Sequence, residues 1–92
     1  MLLYVITDDV PDDRRPKRVS DLLEGYGQRV QYSVFECILS ERKYAELQQR
    51  LQGRVKLKED SIRFYPLSKH TLGRVDIWGG VELTQVQGSV VV

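Results

Sequence analysis

An abrupt change from apolar to charged residues near the N-terminus is the strongest constraint on how this chain folds. Residues 2–7 (LLYVIT) are apolar and β-prone, and they run directly into Asp8 and Asp9. A short apolar run that ends at acidic residues predicts a buried strand over residues 2–8. The charged residues that follow are two more aspartates and a group of cations: Asp12, Asp13, Arg14, Arg15, Lys17 and Arg18.

Helical periodicity occurs in two later stretches. Residues 12–26 predict a helix capped by Asp12 or Asp13, in which Pro16 is tolerated only in the first turn. Its apolar residues recur on one face, as Val19, Leu22, Leu23 and Tyr26. A second helix is predicted over about residues 41–52, with Ser40 as its N-cap and Gly53 at its end.

The remaining stretches are β-prone or irregular. Residues 28–39 predict a long strand, and residues 61–67 predict another, which Pro66 places at an edge or near its end. Residues 68–74 are interpreted as a connector, and residues 75–78 as a short strand before a Gly79–Gly80 turn. The Val-rich residues 81–92 show no helical period, and they are predicted to fray or to add a strand to a sheet, including a partner's.

The order of these elements predicts an α+β fold. It reads β-α-β, then a broken or paired strand, then α-β and a β tail, and the split βαβ or ferredoxin-like arrangement is its economical solution. Residues 1–80 would form the domain, and residues 81–92 a C-terminal strand or tail. At 92 residues the chain makes one small domain, for which oligomerisation is expected.

Composition narrows the classes of function. The net charge is +1, so affinity for nucleic acid would have to come from local clusters of charge. Cys37 is the single cysteine, which excludes an intramolecular disulfide and a multi-cysteine zinc site and fits a reducing compartment. No apolar run reaches the roughly 20 residues that cross a bilayer. The expected location is the cytoplasm, without membrane association.

The aspartates at the end of the first strand are candidate metal ligands. Successive strand residues point to opposite faces, so Asp8 and Asp9 cannot both line one site in a regular strand. One carboxylate per chain is a poor site, but a two-fold dimer that joined two copies would suffice for magnesium. Alternatively, Asp8 and Asp9 only end the strand, and Asp12 and Asp13 only cap the helix.

The cations that follow are candidate phosphate ligands. Arg14 and Arg18 share a helix face with Lys17 nearby, a spacing suited to gripping successive phosphates. Alternatively this is a solvated face, on which Arg14 and Arg18 pair with Asp21 or Glu24. Arg29 and Arg63, on predicted strands, are weaker candidates. Phe35 is interpreted as a core or interface residue, and Cys37 as a small buried hydrophobic residue rather than a nucleophile.

Six segments of the chain form a pattern in the order residues 4–6, 9–15, 17–19, 25–27, 29–37 and 59–67. The run Val-Gln-Tyr-Ser-Val-Phe-Glu, within residues 29–37, is the most specific part of this pattern. Together these segments resemble the second core protein of CRISPR–Cas systems, the small partner of the Cas integrase, and the resemblance covers about residues 1–80.

The resemblance implies a ferredoxin-like βαββαβ fold and a symmetric homodimer in which the C-terminal strand pairs with the partner's sheet. It implies that Asp9 faces its twin across the dimer and binds Mg²⁺. It also implies a metal-dependent endonuclease acting on single-stranded RNA or double-stranded DNA, with Arg18, Arg29 and Phe35 supporting cleavage or substrate binding. In spacer acquisition, such a dimer is the scaffold between integrase dimers.

The chain departs from the family pattern at two positions. Asp8 stands where a tyrosine commonly precedes the metal-binding aspartate, and Pro16 stands where some members have an arginine. Two functions therefore remain open on the sequence. One is a magnesium-dependent nuclease built on Asp9. The other is a non-catalytic scaffold that binds duplex DNA through Arg14, Arg15, Lys17 and Arg18.

Overall fold

A computed structural model describes residues 1–11 and 15–85, and the elements below are those of this part of the chain. This part of the chain forms four strands and three helices. In chain order they are β1 (Leu2–Asp9), α1 (Arg15–Glu24), β2 (Gln28–Gln31), β3 (Val34–Leu39), α2 (Glu41–Gln52), β4 (Ser61–Leu67) and the short α3 (Lys69–Leu72). None of the described helices is both long enough and apolar enough to cross a membrane.

The strands form one antiparallel sheet in the order β2-β3-β1-β4. β1 lies in the interior of the sheet, with Ile6 opposite Phe35 on β3 and Phe64 on β4. Both α1 and α2 pack on the face to which Ile6 points, which we call the helix face; the opposite side is the open face. This βαββαβ arrangement confirms the predicted ferredoxin-like fold.

The core lies between the sheet and the two long helices. The apolar stripes predicted for the helices supply Val19, Leu22 and Leu23 from α1 and Leu47 and Leu51 from α2, all buried. The sheet contributes Tyr4, Ile6, Phe35, Cys37 and Leu39. Tyr4 stacks on Tyr44 of α2 with ring centroids 4.1 Å apart, and the edge of Phe64 closes this aromatic group.

The prediction of a single strand over residues 28–39 is wrong, because this stretch forms the hairpin of β2 and β3. The turn falls at Tyr32 and Ser33, and the ladder shifts register between Arg29 and Gln31. An unbroken strand of twelve residues would span roughly 40 Å, beyond the eight-residue β1 beside it. The prediction that the two faces of this segment alternate is confirmed, since Phe35 and Cys37 are buried and Val34 and Glu36 only partly so.

Other boundaries differ in smaller ways. The first helix is described over Arg15–Glu24 and ends two residues before the predicted Tyr26, because Gly25 begins a turn; residues 12–14, with the proposed caps Asp12 and Asp13, lie outside the described residues. The connector over residues 68–74 contains α3, capped by Ser68. Residues 75–78 pair with no described strand, so the short strand predicted there is wrong. Residues 81–85 are irregular, and the rest of the predicted C-terminal strand lies outside the described residues.

Two elements match the sequence prediction closely. β4 spans Ser61–Leu67 and lies at the edge of the described sheet, the position expected for a strand that contains Pro66. α2 spans Glu41–Gln52, and the Ser40 hydroxyl accepts from the Lys43 N–H as the N-cap.

Cys37 is expected to be unreactive in the folded protein. Its side chain is fully buried, and burial raises the pKa of the thiol to about 11, so the neutral form persists across the physiological range. We expect iodoacetamide at pH 8 to alkylate native Cys37 about a hundredfold or more slowly than the urea-unfolded chain, in which the thiol pKa returns to ~8.5. Because folding raises the pKa of the thiol, this group lowers the stability of the folded state only as pH rises from ~8.5, the unfolded pKa, toward about 11. Equal alkylation rates in the two states, followed by mass spectrometry, would contradict this expectation.

Candidate functional site

Asp9 is the last residue of β1, and its side chain is exposed at the end of the sheet. It pairs with Ser61, the first residue of β4, and it shares the open face with Thr7. The alternation predicted from the sequence is therefore confirmed: Asp8 points to the helix face and Asp9 to the open face. A carboxylate at an exposed strand end is accessible to a cation and to a second molecule.

Asp8 lies in a different environment. It is half-buried, its N–H donates to the Ser33 carbonyl over 3.1 Å, and it lines a cleft of about 390 Å³ beside the start of α1. Burial raises the pKa of its carboxyl group, and the nearby Arg29 guanidinium opposes that rise. Within one chain, Asp8 and Asp9 do not form a shared site.

Arg29 and Phe35 form a unit on the helix face. The Arg29 guanidinium lies over the Phe35 ring, 5.1 Å from its centroid, and its Nε is 3.2 Å from the Glu24 carboxylate of α1. Phe35 is fully buried and is part of the core. The structure thus places Arg29 on the opposite side of the sheet from Asp9 of the same chain, and it makes Phe35 a support for Arg29 rather than a surface that a substrate could touch.

The cations of α1 separate into paired and unpaired residues. Lys17 forms an ion pair with Asp21 at 3.2 Å, and Arg29 forms one with Glu24. Neither carboxylate is therefore paired with Arg18. Arg18 is exposed, and no carboxylate within the described residues lies at ion-pair distance from it. The pairing of Arg18 with Asp21 or Glu24 that the solvated-face alternative assumed is therefore wrong, although Arg18 is exposed to solvent. Arg14 and the side chain of Arg15 lie outside the described residues, and their roles stay predictions.

The described part of the chain holds no group of three or more histidine, cysteine or acidic side chains that could enclose a metal ion. Asp9 therefore offers Mg²⁺ one carboxylate per chain. Such a ligand fits magnesium, which retains several waters and needs one or two carboxylates, when a second chain supplies another. Asp9 points to the open face, so a second chain would have to approach that face to supply the other carboxylate.

The open face carries apolar side chains away from Asp9, although both long helices pack on the other side of the sheet. Leu3 is only 2% exposed there, and it is flanked in register by Ile38 and Leu67. At the β2–β3 side, the Thr84 N–H donates to the Glu36 carboxylate over 2.9 Å, so the chain after α3 returns to this face. The Glu36 carboxylate on this face is therefore hydrogen-bonded.

Sequence reasoning underrated one basic residue on the open face and missed another after α2. Arg63 lies on the open face opposite Thr7, and its guanidinium donates to the Tyr65 hydroxyl over 3.0 Å. Arg54, after α2, donates from Nη1 to the Arg18 carbonyl over 3.0 Å. The only sequence signal for Arg54 is its place in a cation-rich loop, since a contact between residues 36 positions apart has no local pattern.

An antiparallel four-stranded sheet with two helices on one face, an exposed carboxylate at the end of the first strand and a basic first helix define a small ferredoxin-like α+β protein. The family model of CRISPR associated protein Cas2 matches residues 1–75, and the chain belongs to this family.

Relatives and solved structures agree with this assignment. A Synechocystis protein named CRISPR-associated endoribonuclease Cas2 3 is 65% identical over 92 residues, covering 100% of both chains. The crystal structure of Streptococcus pyogenes Cas2 at pH 6.5 is similar with a TM-score of 0.74 and 38% identity, covering 84% of this chain and 99% of that one. A chain of a partial Cas6-RT-Cas1–Cas2 complex has a TM-score of 0.77 and 34% identity, covering 94% and 100%.

Proposed function

We propose that this protein acts in CRISPR spacer acquisition as a homodimeric, magnesium-dependent endonuclease that hydrolyses phosphodiester bonds and partners a Cas integrase. The observation that carries the proposal is the placement of Asp9, exposed at the end of β1 on the open face. Family membership supports the same conclusion, since a 65% identical relative is named an endoribonuclease and a similar chain belongs to a Cas1–Cas2 complex. A cytoplasmic location is consistent with the single reduced, buried cysteine.

The homodimer follows from the chemistry of the site. One chain supplies one Asp9 carboxylate, so a second copy is needed to provide a pair. The open face carries apolar side chains that one chain leaves partly or largely uncovered, because Val5, Ile38 and the exposed Tyr65 lie on it, opposite the side that α1 and α2 cover. A two-fold axis through this face would bring the two Asp9 side chains together.

The two Asp9 carboxylates would hold Mg²⁺, which when bound supplies polarisation of the scissile phosphate and a water of lowered pKa. Arg18 lies exposed on α1, and in this proposal it would neutralise phosphate charge. Arg29 is held by Phe35 and Glu24, so its role in this proposal is to shape the helix face near Asp8 rather than to reach Asp9 of its own chain.

A second function is favoured by a specific observation. Arg18 has no carboxylate partner within the described residues, which suits a surface for nucleic-acid phosphates whether or not cleavage occurs. Together with Lys17, Arg14 and Arg15, it would make the dimer a non-catalytic scaffold that holds duplex DNA between integrase dimers.

Metal removal distinguishes the two functions. We expect the purified chain to cleave labelled single-stranded RNA or duplex DNA in Mg²⁺ and to stop when a chelator is added, with activity restored by excess Mg²⁺. Analytical ultracentrifugation of the same sample is expected to report a dimer. Binding without cleavage in Mg²⁺ would leave the scaffold, and a monomer at micromolar concentration would contradict the shared-carboxylate site.

A further inference from the structure

A cation-rich loop follows α2 and lies at the same end of the sheet as Asp9. Residues 53–60 contain Arg54, Lys56 and Lys58, together with Glu59 and Asp60. The loop leads directly into Ser61, which pairs with Asp9 on the neighbouring strand. Adjacent strands lie about 5 Å apart, so the end of the loop is a neighbour of the exposed carboxylate.

The loop is held in one conformation by its own hydrogen bonds. Asp60 is only 6% exposed, and its carboxylate accepts from the Lys56 N–H over 2.7 Å. The Asp60 N–H in turn donates to the Lys56 carbonyl over 2.7 Å, and the Arg54 N–H donates to the Leu51 carbonyl. Cations on a fixed backbone lose less entropy on binding than cations on a free segment.

One contact joins this loop to the basic helix. The Arg54 guanidinium donates to the Arg18 carbonyl over 3.0 Å, which uses one of its five N–H groups and leaves the others for a ligand. Arg54 is thereby fixed beside Arg18, and the loop and α1 form one basic surface.

The loop contributes three cations that form no ion pair inside the described part of the chain. No carboxylate there lies within ion-pair distance of Arg54, Lys56 or Lys58, whereas Lys17 and Lys43 are each paired. Lys56 and Lys58 are exposed. Cations that form no ion pair with a carboxylate favour a polyanion, and a phosphodiester backbone supplies several charges in a row.

We propose that residues 53–60 form a second phosphate-binding element, in which Arg54, Lys56 and Lys58 bind the phosphodiester backbone of a nucleic acid that also contacts Arg18. The inference rests on the proposed function only in that the chain must bind nucleic acid; it does not require cleavage. It extends the interface from the first helix to the loop before β4.

The test is the salt dependence of binding, measured by fluorescence anisotropy with a labelled DNA duplex and, separately, a labelled single-stranded RNA. The variants are Arg54→Gln, the double variant Lys56→Gln/Lys58→Gln, and all three together. Removing one phosphate contact is expected to flatten the slope of log K against log salt by ~0.9 for duplex and ~0.7 for single strands. For the triple variant, we expect a change of about 2 to 3 on the nucleic acid that uses the loop.

Arg42→Gln is the matched control. It removes one exposed cation from the start of α2, near Leu39, which pairs with Leu2 at the other end of β1. We expect its slope to equal that of the wild type. Because Arg54→Gln also removes the hydrogen bond to the Arg18 carbonyl, thermal melting is measured in parallel. The Lys56→Gln/Lys58→Gln variant keeps the side-chain hydrogen bonds of the loop, so it still tests the inference if Arg54→Gln is unstable.

A positive control separates failure of this inference from failure of the proposed function. Lys17→Gln/Arg18→Gln is expected to flatten the slope on the same probe. If it does and all loop variants retain the wild-type slope on both probes, the loop is not a phosphate-binding element. If the wild-type chain shows no salt-dependent binding to either probe, nucleic-acid binding and the role of the loop both fail.

Discussion

Asp9→Asn is expected to lower the metal-dependent cleavage rate at least about a hundredfold while the protein remains folded. Metal-ion stabilisation of a reacting phosphate is worth several kcal/mol, and each ~1.4 kcal/mol changes the rate tenfold. Asparagine keeps the size of the side chain but removes the negative charge from both halves of the proposed site. Asp9 is exposed and outside the core, so the melting temperature is expected to stay within a few degrees of the wild type.

Asp8→Asn is the matched control, because it makes the same chemical change one residue away. Asp8 points to the helix face and lines a separate cleft beside α1, so we expect its cleavage rate to stay within about threefold of the wild type. Initial rates on labelled RNA and DNA in Mg²⁺ give the comparison. Equal losses in both variants would show that the effect is general to this acidic end of β1, and full activity in Asp9→Asn would remove the proposed mechanism.

The fold was largely predictable from local pattern. The predictions of a strand over residues 61–67 and of a helix over about 41–52 agree with β4 and α2. Each segment contains residues that mark its place or its ends: Pro66 for an edge strand, and Ser40 and Gly53 for the two ends of the helix. The hairpin of β2 and β3 was not predictable from periodicity. Its turn residues, Tyr32 and Ser33, are not strong turn formers, and the tertiary pairing with β1 decides where the segment breaks.

The candidate site was predictable only in part, for a related reason. Strand alternation separates Asp8 from Asp9 in the sequence alone, and the structure confirms it. Which acidic partner each cation takes was not predictable, because Glu24 bonds to Arg29 across the α1–β2 connection and leaves Arg18 without a carboxylate partner among residues 1–11 and 15–85. The contact of Arg54 with the Arg18 carbonyl depends on how α2 packs beside α1, and that packing is a property of the whole fold. The roles of Arg29 and Phe35 in cleavage stay predictions.

Gly27→Ala is expected to be the most destabilising of the conservative substitutions available in this chain. A Cβ atom at Gly27 would lie 2.3 Å from the Glu36 carbonyl oxygen, 2.5 Å from the Cys37 Sγ and 2.8 Å from the Cys37 Cα. Two of these atoms belong to the backbone of β3, which is paired on both sides and cannot retreat without disturbing β1 or β2. The position thus requires glycine for the close approach of two chain segments, not for an unusual φ angle.

The cost of this clash is expected to be about 3 kcal/mol or more, at the upper end of what overpacking a core produces. In a domain of this size each kcal/mol lowers the melting temperature by about 4–8 °C, so a fall of roughly 15 °C is expected by circular dichroism. Gly53→Ala is the matched control: its nearest atom would be the Arg50 carbonyl at 3.6 Å, an ordinary contact, and its φ of −77° suits alanine. We expect Gly53→Ala to melt within about 3 °C of the wild type. If Gly27→Ala melted at the same temperature as Gly53→Ala, the close packing of residue 27 on β3 would be wrong. The position of Cys37 beside the Leu23 carbonyl near the end of α1 would then be wrong as well.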